Sequence, residues 1–184
     1  MADQLDRVLI DPHGYLFCAI LSGTKSGGAS VRVGATASHR QARELLQTLR
    51  RDRVVLSAMD APTLTIGRRA TDAIKTHIED QLKADGWASP VEVSTDADLT
   101  LNLIKDKVVV QVQLGNITRA FYDLMKMQAM HQQDRAVCAV LVVPMAEAAR
   151  KMGSNLAQYE RVTKELQAVF FHQITIPVLV VGVE

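Results

Sequence analysis

Three amide side chains stand on an apolar hairpin that has no obvious need of them. The run Asn102-Leu-Ile-Lys105-Asp-Lys-Val108-Val-Val-Gln111-Val-Gln113-Leu-Gly115-Asn116 has the pattern of two short strands joined by a tight turn. With Lys105-Asp106 as a two-residue connection, position 104 faces 107 and position 102 faces 109. Residues opposite one another share a sheet face, as does every second residue along a strand. Asn102, Gln111 and Gln113 therefore project to one side, with Leu103, Val110 and Val112 on the other; a three-residue turn would reverse this. An unpaired buried amide costs roughly 1–3 kcal/mol. The three must satisfy one another, face a cleft or bind something, unless they form the solvated face of an edge hairpin. Carboxylates in these places could hold a divalent metal ion; this chain has uncharged amides.

The elements around the hairpin are legible from periodicity. Thr71–Asp85 carries Ile74, Ile78 and Leu82 at helical spacing and ends at Gly86, a C-cap residue, before Trp87 and Pro90. Leu99–Ile104 and Val108–Leu114 are the hairpin strands. Ile117–Gln132 reads as a helix with Phe121 and Leu124 inward, its Met125, Met127 and Met130 suited to a core or a dimer interface. Ala136–Val143 is apolar throughout and belongs at a sheet centre. Pro144 starts a short helix ending near Gly153, Leu156–Val169 forms another, and Ile176–Val183 is a last buried strand. This order describes an α/β fold, a mixed sheet covered by helices. Upstream, Val8–Ile10, Tyr15–Leu21 and Ser30–Val33 read as strands, Ser38 as the N-cap of a helix with Ala42, Leu45, Leu46 and Leu49 on one face, and Val54–Leu56 as a further strand.

Composition narrows the class without naming a partner. At 184 residues, 48% hydrophobic and 22% charged, the chain has the make-up of an ordinary globular protein with a real core. No apolar run approaches the ~20 residues of a membrane span, and the first residues lack a signal-peptide plan, so a cytoplasmic location is expected. Cys18 and Cys138 form no CxxC and lie among apolar neighbours, which suggests buried free thiols. A net charge of +1 neither demands nor excludes nucleic acid. His13, His39, His77, His131 and His172 have no zinc-ligand spacing. Gly23-Thr-Lys-Ser-Gly-Gly lacks the order of a phosphate loop. Arg50-Arg51-Asp52-Arg53 and Arg68-Arg69 are basic clusters, either solvated ends or phosphate contacts.

The hairpin and its surroundings resemble BglII/BstYI-type restriction endonucleases, a branch of the PD-(D/E)XK nuclease fold. That family's pattern is Asp-x-x-Lys-x-x-Val-x-x-Glu-x-Gln, then a small residue and Asn. Here it stands as Asn102-x-x-Lys105-x-x-Val108-x-x-Gln111-x-Gln113, then Gly115 and Asn116. The helix closing in Gly86-Trp87, the run Phe121-Tyr-Asp-Leu-Met-Lys126, the strand end Leu141-Val-Val-Pro144 and the stretch Met152 to Arg161 are similar as well. The resemblance covers residues 68–184, a restriction-endonuclease-like core domain; residues 1–67 are then a β-rich extension packed on it. It implies a homodimer acting on double-stranded DNA, with a Mg²⁺ ion held by the acids at positions 102 and 111. Gln113 matches the family's own residue. Asn116, with Gly115, Lys105, Arg68 and Arg69, becomes a candidate DNA contact, and amides suit adenine.

Two departures set the expectation. Asn102 and Gln111 stand where both metal-binding acids belong, and Mg²⁺ depends on anionic oxygen ligands. Metal-assisted cleavage should then fall by orders of magnitude, whereas two fewer negative charges favour approach of a phosphate. The expected protein binds duplex DNA, is deficient in cleavage and uses no cofactor as written. Asp98 shares the Asn102 face but lies more than about ten ångströms away along an extended strand, and Asp96 and Asp106 are no better placed to rescue the site. An active Mg²⁺-dependent endonuclease (or an inactivated version of one) and a protein-interaction module on the nuclease fold remain the alternatives.

Overall fold

The computed structural model describes residues 70–170 and 172–183 in full, and residues 5–10, 16–21 and 32–36 as strand backbone. In chain order the strands are β1 (Leu5–Ile10), β2 (Leu16–Leu21), β3 (Arg32–Thr36), β4 (Val91–Ser94), β5 (Leu99–Leu101), β6 (Leu103–Lys105), β7 (Val108–Val112), β8 (Cys138–Pro144) and β9 (Val178–Val183). The helices among the described residues are α1 (Ala70–Ala84), α2 (Ile117–Gln132), α3 (Ala146–Met152) and α4 (Tyr159–Glu165), the last continuing into a wide turn, Leu166–Phe170. None of these helices is long and apolar enough to cross a membrane.

Seven strands in the order β1-β2-β3-β9-β8-β7-β6 make one mixed sheet, and β4-β5 make a second. β8 lies between β7 and β9 and pairs in parallel with both, as its unbroken apolar sequence requires. Alternate residues of these strands feed two cores. Val108, Val110, Val112, Val140, Val142, Leu179 and Val181 meet Ile74, Ile78 and Leu82 of α1. Val109, Ala139, Leu141, Val178 and Val180 meet Leu124 and Met127 of α2 and Val162 of α4. The sheet is therefore covered by helices on both faces. The strand β3 pairs antiparallel with β9, which brings β1 and β2 into the same sheet. The Ser38 helix and the Val54–Leu56 strand lie outside the described residues.

Helix ends are closed by side-chain and backbone devices that the sequence signals. At the end of α1, Gly86 has φ +85°, and the N–H groups of Gly86 and Trp87 donate to the carbonyls of Lys83 and Leu82. This is the Schellman pattern, and Trp87 and Leu82 share one core. Asn116 caps α2, its Oδ1 accepting from the Thr118 N–H at 2.8 Å. Gln128, buried on α2, accepts from the N–H groups of Thr175 and Ile176 and donates to Thr175 Oγ1, so both ends of this amide are satisfied. Arg135 donates to the Glu92 and Val93 carbonyls and ties the small sheet to the start of β8.

The hairpin departs from the sequence reading in two respects. Its turn is Asp106-Lys107, both left-handed at φ 49° and 62°, a type I′ arrangement that suits the strand twist. Lys105 pairs with Val108 and Leu103 with Val110, so Asn102 comes opposite Gln111 and not Val109. The shift is even, and the three amides keep a common face. The second difference is that Leu99–Ile104 is not one strand. It breaks at Asn102, β5 joining β4 and β6 joining β7. Asparagine can replace ladder partners with its own side chain, and here it does so.

Two outcomes test this account. Lys107 occupies a position that Gly takes without steric cost, so Lys107→Gly should raise stability by about 0.5–1 kcal/mol in urea unfolding. Burial pushes the Cys138 thiol up to about 11 from the ordinary 9.0. The unfolded chain releases that proton first, so stability should hold below pH 9 and fall between pH 9 and about 11, by on the order of 2–3 kcal/mol. Cys138→Ala should lack that decline.

Candidate functional site

The amides converge on a carboxylate that the sequence reading did not single out. Asp123, on the second turn of α2, is 3% exposed. Gln111 Nε2 donates to its Oδ2 at 3.0 Å and Gln113 Nε2 to the same oxygen at 2.7 Å. Lys126 Nζ lies 2.6 Å from Oδ1 and also donates to the Thr100 carbonyl at 2.8 Å. The other ends of the amides face backbone. Gln111 Oε1 accepts from the Asn102 N–H at 2.9 Å, Asn102 Oδ1 from the Val112 N–H at 2.8 Å, and Gln113 Oε1 from the Gly115 N–H at 3.0 Å. A carboxylate only accepts and an N–H only donates, so the orientation of each amide is determined by its partners.

Each element has a part in this. β7 places Gln111 on the α2 face and, one step past its end, Gln113, whose N–H still donates to Val142. The break at Asn102 frees that residue's N–H and side chain for cross-strand bonds. The Asn116 cap sets the phase of α2, so Asp123 falls within its buried stripe between Ala120 and Met127. Lys126 follows at i+3, on the same side of the helix.

Beside this network lies a cavity of about 540 Å³, lined by Asn102, Gln111, Gln113 and Gly115 together with Asp123 and Lys126. Its ionisable groups are Asp72, Asp98 and Asp123 against Lys75, Arg119 and Lys126, three charges of each sign. Asp98 reaches the cavity wall; Asp96 and Asp106 do not line it.

The other candidates fall into separate places. Gly115 is at the cavity, and a Cβ there would come 3.1 Å from Gln113 Oε1. Asn116 is exposed but its Oδ1 is engaged in capping, with the Thr118 hydroxyl as a second donor. Lys105 does not line the cavity; it pairs with Asp85 at 2.7 Å at the end of α1. Arg68 and Arg69 lie outside the described residues. Asp123, Lys126 and Arg119 were missed, although a signal existed: an Asp inside the apolar stripe of α2, with Arg four residues before it and Lys three after.

The residues present do not fit a Mg²⁺ ion. Of the three carboxylates at the cavity only Asp123 meets the amides, both its oxygens are engaged by protein donors, and the amide oxygens at 102 and 111 accept from backbone N–H groups. Mg²⁺ asks for anionic oxygens with open lone pairs. Among the described residues no three His, Cys, Asp or Glu side chains cluster in a way that could hold a metal.

A mixed sheet with a hairpin and a following helix around one cleft is a restriction-endonuclease-like architecture, and the comparisons agree. The family model for restriction endonuclease BglII/BglIII matches residues 35–183. The chain belongs to this family. In fold it is similar to the crystal structure of restriction endonuclease BglII complexed with a DNA 16-mer, at a TM-score of 0.69 and 13% identity, over 83% of this chain and 77% of that one. No curated protein matches the chain.

The network predicts a graded response. Asp123→Ala leaves Lys126 and two amide donors without their acceptor and should cost about 3–5 kcal/mol in urea unfolding. The pair Asp123→Asn with Lys126→Gln, which removes both charges together, should cost clearly less than Asp123→Ala.

Proposed function

We propose that this chain is a double-stranded-DNA-binding, homodimeric member of the BglII/BglIII family that cuts DNA poorly or not at all as the sequence stands. The observation that carries this reading is the pairing of Asn102 with Gln111 across the hairpin, each amide oxygen committed to a backbone N–H. In the family pattern these positions hold the acids of the metal site. A Mg²⁺ ion offered neutral, already engaged oxygens loses the ligands it needs to activate water and neutralise a leaving oxygen, which is worth several kcal/mol in a metal-assisted hydrolysis. Binding of duplex DNA has separate support: the family and the fold shared with a nuclease solved on a DNA 16-mer.

One observation favours the second reading, an active Mg²⁺-dependent endonuclease hydrolysing DNA phosphodiesters. Asp123 leaves a buried carboxylate facing the cavity, and ion and substrate together could draw it away from Lys126. The two readings differ in a plasmid-nicking assay with Mg²⁺ or Mn²⁺. The chain should give no cleavage above background, and Asn102→Asp with Gln111→Glu should gain metal-dependent cleavage by orders of magnitude. Cleavage by the unaltered chain, abolished by chelator, would establish the second reading. Duplex affinity should fall steeply as salt rises; no salt-sensitive affinity at all would favour an interaction module.

A further inference from the structure

We propose that this site is a direct, metal-free receptor for an anionic phosphodiester oxygen. The inference rests on the DNA-binding reading and deepens it.

The amide oxygens of Asn102, Gln111 and Gln113 accept from the Val112, Asn102 and Gly115 N–H groups. Asp123 receives Gln111, Gln113 and Lys126, so its charge is compensated within the protein. Around Asp123 what is left over is mostly donors; elsewhere the cavity also carries the exposed carboxylates of Asp72 and Asp98, with Lys75 as a further cation. Asn102 Nδ2 has no partner among the described residues and is not among their buried orphans, so its two protons are open to the cavity. Lys126 has three protons and gives two, to Asp123 and to the Thr100 carbonyl. Gln111 and Gln113 each donate one N–H to Asp123 and keep a second. Arg119 brings to the same wall a guanidinium with no ion pair or hydrogen bond among the described residues.

The part of the wall around Asp123, with spare donors and committed acceptors, favours an anion. A divalent cation would meet an ammonium group where it needs oxygens. A phosphodiester meets an amide NH₂, an ammonium proton and a guanidinium, all of which it can accept from. The low exposure of Lys126, 11% of its side chain, strengthens such bonds relative to those of a surface lysine. Lys126 thus occupies the electrostatic place of the ion, as a cation attached to the chain.

Asn102→Asp is the discriminating variant. Its remaining oxygen still accepts from Val112, so the fold is kept, while two donors are replaced by an acceptor and a negative charge. The first measurement is fluorescence anisotropy of a labelled random-sequence duplex, in EDTA and in Mg²⁺, with the unaltered chain and Asn102→Asp. The second is the shift in Tm given by inorganic pyrophosphate in EDTA, for the same two proteins. The proposal expects duplex affinity that is equal in EDTA and Mg²⁺, an affinity loss of about tenfold or more on Asn102→Asp in EDTA, and pyrophosphate stabilisation that the variant loses. Duplex binding that needs Mg²⁺ would overturn it. So would duplex binding indifferent to Asn102→Asp with no pyrophosphate effect, and that result would leave the DNA-binding reading standing. Absence of duplex binding with pyrophosphate stabilisation lost in Asn102→Asp would sink the DNA reading and keep the anion site.

Discussion

The rest of the site depends on one buried ionic contact, the carboxylate of Asp123 with the ammonium of Lys126. A lone carboxylate this far from water would be costly; this one has a charged partner and two amide donors, enough to satisfy both oxygens. The amides in turn are anchored by backbone N–H groups of the hairpin and the turn that follows. The end of β7, the break between β5 and β6 and the first turns of α2 are thereby joined through side chains. Uncharged residues at 102 and 111 belong to that arrangement as structural members.

Gln128 shows what a purely architectural amide looks like in the same helix. It is buried, and its oxygen and its nitrogen both bond to the Thr175–Ile176 segment. Asn102 differs: its oxygen is committed, and its NH₂ group has no partner among the described residues. In a packed interior an open donor would be a defect. At the wall of a cavity it is a place for a ligand, and this asymmetry separates a site from a scaffold more clearly than polarity does.

The sheet was legible because its central strands are apolar at every position and its helices are amphipathic, and both patterns follow directly from burial. The common face of Asn102, Gln111 and Gln113 was legible because side-chain alternation survives an even change of register. The turn itself was misplaced by one residue, since Asp-Lys in a type I′ turn lacks the glycine that usually marks one. The break at Asn102 is a side-chain event, invisible to a periodicity of two. Asp123 was hidden by its own helix: among Phe121, Leu124 and Met127 it reads as an interruption of the apolar stripe, and only the fold shows that the stripe passes over the amides there. Lys105 sits at a family position, yet contact with Asp85 across the end of α1 directs it elsewhere, and spacing along one chain carries no information about that neighbour.

The contact from Gln111 to Asp123 makes the two amide positions unequal in their tolerance of an acid. At 102, acid and amide are nearly interchangeable, because the oxygen that accepts from Val112 is present in both. At 111 they are not: the nitrogen is a donor 3.0 Å from a carboxylate oxygen, and an acid there would set two negative groups against each other unless an ion came between them. An acid at 102 therefore leaves the fold intact and alters only what the cavity can receive, whereas an acid at 111 needs a cation beside it or a change at Asp123.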